Sequence, residues 1–274
     1  MSAVGAHGWR QALCWPSCGL VHAELLKLRK RRGLVIWGFA LPSGVIALQY
    51  GLLTGLHAID PMRVGPAGGA QGLGVGANVL DALGTLLAVI IGATVGTADV
   101  DAGVFTDLVA SGRSRLALFA ARVPGGLAFS LPIMAVAYAI AVGACAVLPG
   151  PGQALTAGLI LRGAGQVLLT TAVWFAVALG VASLVGSRAV AIAILLGWQF
   201  IVEPALMLSG PLSGPWRGAA LGAALTRAVP VVLEYDPNVV DSVARPSTAA
   251  AGVVLVWTGA ALIAGAWRTQ TRDA

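Results

Sequence analysis

Six long apolar runs constrain this chain more than any other feature. They lie at 34–56, 79–98, 124–148, 163–186, 189–208 and 249–267. Each holds about 19 to 25 residues, enough at 1.5 Å per residue to cross a hydrocarbon core of ~30 Å. A backbone inside lipid must satisfy its own hydrogen bonds, so such runs predict helices. Composition agrees: 58% of the 274 residues are hydrophobic and 10% are charged, whereas soluble domains carry roughly 25% charged residues. The 37 glycines suit close helix packing in a bilayer. The expected fold is an all-α integral membrane protein, a six-helix transmembrane bundle.

The ends and connections refine this. Residues 1–33 form an expected cytoplasmic N-terminal segment. Within it Val21, Leu25 and Leu28 recur at helical spacing, with Glu24 and Lys27 on the other side, before the basic block Lys27, Arg29, Lys30, Arg31 and Arg32. These residues predict an amphipathic helix on the membrane surface, though a plain stop signal of positive charge would use the same block. Pro124 suits the first turn of the third run. The stretch Trp216–Leu233 is apolar but interrupted by Arg217, Arg227 and Pro230, which predicts an outer interfacial or re-entrant helix before the last span.

Charge orients the bundle. With the N-terminus inside, the inner segments hold 12 basic residues and the outer ones 5, together the 17 of the chain. The excess of Lys and Arg predicts cytoplasmic ends, including a tail at 268–274. The net charge of +6 is thereby explained by topology, without nucleic acid. Cys14, Cys18 and Cys145, with His7, His22 and His57, form no metal-ligand pattern, and no metal is expected.

The connection between the second and third spans is the longest polar-rich inner stretch. Asp99, Asp101 and Asp107 accompany an apolar group, Val104, Phe105, Leu108 and Val109; Gly112 and the basic Arg113 and Arg115 follow. Acids at the start and bases past the end suit a helix dipole, and the apolar residues would share one face. The pattern predicts a short amphipathic cytoplasmic helix, fit either to dock a soluble partner or to pack on headgroups and its own bundle.

This stretch resembles the loop after the second span of type-2 ABC export permeases, where an acidic residue precedes a G-x-x-x-x-L-x-x-x-x-x-S-R run. Here those positions are Asp101, Gly103, Leu108, Ser114 and Arg115, with Arg122 near the next span. The family usually has Glu where this chain has Asp101. The segment His22–Arg29 is similar to that family's opening helix, and the six-span topology is shared. The resemblance implies a permease subunit in a bacterial inner (plasma) membrane, lining an export pathway with a second permease copy or paralogue. It further implies a short cytoplasmic coupling helix between the second and third spans and contact with an ATP-binding cassette subunit through Glu24, Asp101, Gly103, Phe105, Asp107, Leu108, Arg113 and Arg115. ATP and Mg would be bound by that partner.

The chain itself carries no P-loop. That cradle ends in Gly-Lys-Ser/Thr, and the only lysines, Lys27 and Lys30, follow Leu26 and Arg29. The subunit is therefore expected to have no catalytic site of its own. Glu203, beside Pro204 in the fifth span, is a candidate for the pathway, although a carboxylate at the outer water boundary is the simpler expectation. Gln49 and Gln199 join it as pathway candidates, with interhelical hydrogen bonding the plainer role for them and for Gln166. Asp81 reads as an interface residue at the outer mouth of the second span. Aromatic content of 6% suggests no specific cage.

Two rival functions remain open. A proton-coupled secondary transporter needs buried ionisable residues in several spans. A membrane-embedded lipid enzyme of the CDP-alcohol phosphotransferase kind needs an Asp-Gly pair, and the chain contains none.

Overall fold

The structure, a computed structural model, describes residues 18–101, 103, 114–150, 155–208, 229 and 247–271. The expected short helix around Val104, Phe105, Leu108 and Val109 and the outer stretch 216–233 lie outside the described residues, apart from Val229.

All regular structure among the described residues is helical, and six helices are long and apolar enough to cross a membrane. A first helix, α1 (Cys18–Lys30), precedes them. The spans are α2 (Arg32–Ile59), α3 (Gly69–Asp101), α4 (Arg115–Val147) and α5 (Ala157–Val185). The fifth span joins α6 (Arg188–Gly197), a π-helical turn (Trp198–Val202) and α7 (Glu203–Leu208). The sixth is α8 (Ser247–Thr271).

Several helices begin earlier than apolar content predicts. Ser114 caps α4, its Oγ accepting from the backbone N–H of Ala117 at 3.2 Å. Pro124 is consequently an interior residue rather than a first-turn one. Its missing N–H leaves one helical carbonyl without a donor, which the 33-residue helix tolerates. The glycine-rich start of α3 is helical for a different reason. Tyr50 of α2 donates its hydroxyl to Gly72 O at 2.9 Å, and its ring end lies where a side chain at Gly76 would stand. Small residues here admit the tyrosine, so a low-hydropathy stretch is held by packing. Thr156 caps α5 by accepting from Leu159 N at 3.3 Å, and Gly186, at φ 76°, closes it.

The centre of the bundle is the pair α3 and α5, which share its largest interface. Their most apolar stretches are 67% and 72% buried, against 17–39% in the other four spans. Glycines make this possible. A side chain at Gly92 or Gly96 of α3 would collide with the backbone of α5 and with Ala178 or Ala182. Gly180 of α5 in turn lies against the backbone at Ala261 of α8. Gly84, Gly92 and Gly96 of α3 meet Thr171, Ala178 and Ala182 of α5 in the same order, so these helices run parallel, while Met134 at Gly84 and Arg122 at Gly96 make α4 antiparallel to them. Outward faces carry Trp37, Leu48, Leu255 and Ile263, all largely exposed, as lipid-facing residues must be.

Two apolar cores are stacked along the axis. One gathers Ile46, Leu73, Leu80, Met134 and Val167; the other Ala88, Phe129, Ile133, Trp174 and Phe175. The α1 helix joins the second core through buried Leu28 and partly buried Leu25. Its backbone abuts Gly125 of α4, while Lys27, Arg29, Lys30, Arg31 and Arg32 stay exposed. The expected amphipathic helix therefore exists, and much of its apolar face is covered by protein as well as offered to lipid.

Candidate functional site

One end of the bundle carries Asp101, Gly103 and Arg115, three of the residues expected to couple it to a partner. Helix α3 runs to Asp101, and Gly103 follows at φ 68°, exposed, in the left-handed region that favours glycine. Arg115, the first residue of α4, donates through Nη1 to Gln270 O of α8 at 3.0 Å. Glu24 pairs with Lys27 at 2.7 Å, and its Cβ packs against Gly125. Asp101, Gly103 and Arg115 therefore stand near one end with the close of α8, while Glu24 is tied into the α1–α4 contact. Phe105, Asp107, Leu108 and Arg113 lie outside the described residues.

Arg122, counted with the inner basic residues, is only 2% exposed. Its Nη1 donates to Gly96 O at 3.5 Å, which also accepts from Ser183 Oγ at 3.4 Å. A glycine one helical turn past Gly92 leaves that carbonyl reachable from two neighbours.

The pathway candidates separate. Gln49 lies on α2, whose main neighbours are α4, α3 and α1; its Oε1 is buried without a hydrogen bond. Gln199 and Glu203 lie on the fifth span, at and just after the π-helical turn. Glu203 is 2% exposed and accepts from Trp198 Nε1 at 3.2 Å. This overturns the expectation of a carboxylate at the water boundary. The π-turn adds a residue to the helix and so rotates the register beyond it, and Glu203 ends inside the protein.

Asp81 is corrected as well. Because α3 starts at Gly69, Asp81 lies twelve residues inside the helix, roughly 18 Å from its start. It is 7% exposed and lies beside Gln166 and Thr170 of α5. Gln166 and Thr170 stand close enough to Asp81 for loose polar contact, short of ordinary hydrogen-bond geometry at the following atoms. Asp81 Oδ1, Thr85 Oγ1, Gln166 Oε1 and Thr170 Oγ1 are all buried with no hydrogen bond of good geometry. Each such orphan costs about 1–3 kcal/mol. These four side chains fall between the two apolar cores: Asp81 and Thr85 between Leu80 and Ala88 on α3, Gln166 and Thr170 flanking Val167 and preceding Val173 on α5.

An apolar cavity of about 290 Å³ opens between α5, the fifth span and α8, lined by Trp174, Trp198, Trp257, Val177, Ile194 and Ala260 among others. The Trp198 and Trp257 rings meet at 5.4 Å, tilted by 56°. Low aromatic content thus conceals a local concentration: three of the eight tryptophans line one cavity. Its neighbour Glu203 is reached through the Trp198 indole.

The polar layer left a faint trace in sequence. Asp81, Thr85, Ala88, Gly92 and Gly96 follow at spacings of four, three, four and four, one stripe of a helix. That stripe continues the glycine contact with α5, which the apolar reading alone did not use. No signal in sequence joins Trp174, Trp198 and Trp257, which lie on three different spans. Among the described residues no group of three His, Cys, Asp or Glu side chains is placed to hold a metal ion.

Compared with known proteins, the chain matches no family model and no curated protein.

Proposed function

We propose that this membrane-spanning helical protein is the permease subunit of an ATP-driven export transporter of the ABC type. In this reading it lines a pathway with a second permease copy or paralogue, and work enters through an ATP-binding cassette subunit on the cytoplasmic side. The observation that carries the reading is the connection from Asp101 to Arg115. Its acidic, glycine and Ser-Arg positions match the coupling loop of type-2 ABC export permeases. The geometry of its two ends supports this. Asp101 ends the central helix α3, Gly103 turns the chain, and Arg115 is bonded to the end of α8. A push on this connection would therefore reach three spans. The chain has no phosphate cradle of its own, so hydrolysis of ATP, with its Mg, belongs to the partner.

The test is purification from the native membrane. Wild-type protein is expected to bring with it a P-loop chain and vanadate-sensitive ATPase activity. Asp101→Arg is expected to remain inserted and lose both. Folded wild-type protein with no associated ATPase would sink the proposal.

One observation favours a second reading, a secondary carrier driven by a proton gradient. Two carboxylates, Asp81 and Glu203, are buried on different spans, and such carriers require buried ionisable residues in several spans. Transport that survives ATP depletion but collapses with a proton ionophore would select it. A membrane-embedded lipid enzyme lacks comparable support.

A further inference from the structure

The layer between the two cores contains four buried oxygens that its own hydrogen bonds leave unserved. Asp81 and Thr85 are one helical turn apart on α3, and Gln166 and Thr170 are one turn apart on α5. The two pairs face each other where the helices approach closely: a side chain at Gly84 would come within 2.7 Å of Thr171 Oγ1. Thr85 and Thr170 are fully buried, Gln166 is 2% exposed and Asp81 7%. Four oxygens, one from each side chain, lack a good hydrogen bond.

The chemistry of these atoms narrows what can satisfy them. A carboxylate oxygen and an amide oxygen are acceptors only, and two hydroxyls offer lone pairs as readily as protons. All four are hard oxygen donors of the kind that hold hard cations. One carboxylate stands in the layer; Glu203, the other buried carboxylate among the described residues, is engaged by Trp198 Nε1. A single negative charge matches a single positive one, and a divalent ion would stay under-compensated. A proton on Asp81 serves one oxygen pair and leaves the hydroxyls as they are. A metal cation draws on all four oxygens and neutralises the carboxylate, which an apolar interior otherwise penalises heavily.

We propose that Asp81, Thr85, Gln166 and Thr170 form a binding site for one sodium-sized monovalent cation between α3 and α5. The bound ion ties the two central helices together at the level where their apolar cores end. The site does not depend on the ATP-driven reading, because it uses only residues within the bundle.

Radioactive sodium provides the test, with the full chain in lipid nanodiscs at neutral and alkaline pH and choline holding ionic strength constant. Saturable binding near one ion per chain is expected, displaced by unlabelled sodium and unaffected by choline. Asp81→Asn should abolish it. Thr170→Val should weaken it at least about tenfold, while Thr170→Ser, which keeps the hydroxyl, should restore near wild-type binding. The Thr170 pair keeps the test decisive should Asp81→Asn fold poorly. Absence of saturable sodium binding overturns the site. Equal binding by Thr170→Val and Thr170→Ser, or undiminished binding by Asp81→Asn, overturns it too. None of these outcomes bears on whether an ATPase co-purifies, so the two proposals fail separately.

Discussion

The closeness of α3 and α5 can be tested by adding atoms where the structure leaves none to spare. A Cβ at Gly92 would lie 2.7 Å from Phe175 O, 2.8 Å from Ala178 Cβ and 3.1 Å from Leu179 N. Ordinary carbon contacts lie near 3.5–4.0 Å, and two of these neighbours are backbone, which no rotamer change can move. In Gly92→Leu the helices must separate by about 1 Å. Overpacking of this kind costs about 1–3 kcal/mol, and a leucine side chain belongs at the upper end. Leucine returns about 0.8 kcal/mol as a better helix former than glycine. The net expected loss is about 2 kcal/mol, near a thirtyfold fall in the folded-to-unfolded ratio. Gly44 on α2 is the control: it is exposed, and an added Cβ there meets nothing within 4 Å. Gly44→Leu should keep the helix gain of about 0.8 kcal/mol, placing the two variants ~3 kcal/mol apart. Denaturant unfolding in mixed micelles would measure the gap. Equal stabilities for the two variants would refute the glycine-mediated packing of α3 on α5.

Other consequences follow from single contacts. Trp198→Phe keeps a ring beside Trp257 but removes the N–H that Glu203 accepts, so unfolding should show a loss of about 1–3 kcal/mol; wild-type stability would mean that the carboxylate does not rely on the indole. Tyr50→Phe deletes the hydroxyl that donates to Gly72 O and receives the Cys145 thiol at 3.2 Å. It should cost about 1 kcal/mol, and an unchanged melting temperature would contradict the role given to Tyr50 in holding the start of α3. Arg115→Ala frees the Gln270 carbonyl, so amide exchange at the end of α8 should quicken severalfold; unchanged exchange would show that the two ends are held by other contacts.

The all-helical, six-span architecture was legible because lipid imposes a length and an apolarity that few other folds demand. Helix α1 was legible from the spacing of Val21, Leu25 and Leu28. What stayed hidden was held by packing. The start of α3 reads as a glycine-rich loop until Tyr50 is seen resting on Gly76. Pro124 reads as a helix start until Ser114 is seen capping the chain ten residues earlier. Asp81 and Glu203 read as boundary residues because hydropathy measures depth and says little about which face a side chain takes. A π-turn cannot be inferred from residue type, yet it places Glu203 inside. Asp101, Gly103 and Arg115 were singled out by resemblance, and the structure places them at one end of the bundle without identifying what they meet.

The sidedness of the connection after α3 is what the functional reading depends on most. A cysteine at position 105 (Phe105→Cys), in a chain whose Cys14, Cys18 and Cys145 are replaced, can be probed in intact cells with a membrane-impermeant thiol reagent. The reading predicts no labelling until the membrane is permeabilised, then full labelling. Labelling in intact cells would put that connection outside, beyond reach of any ATP-binding partner, and would contradict it.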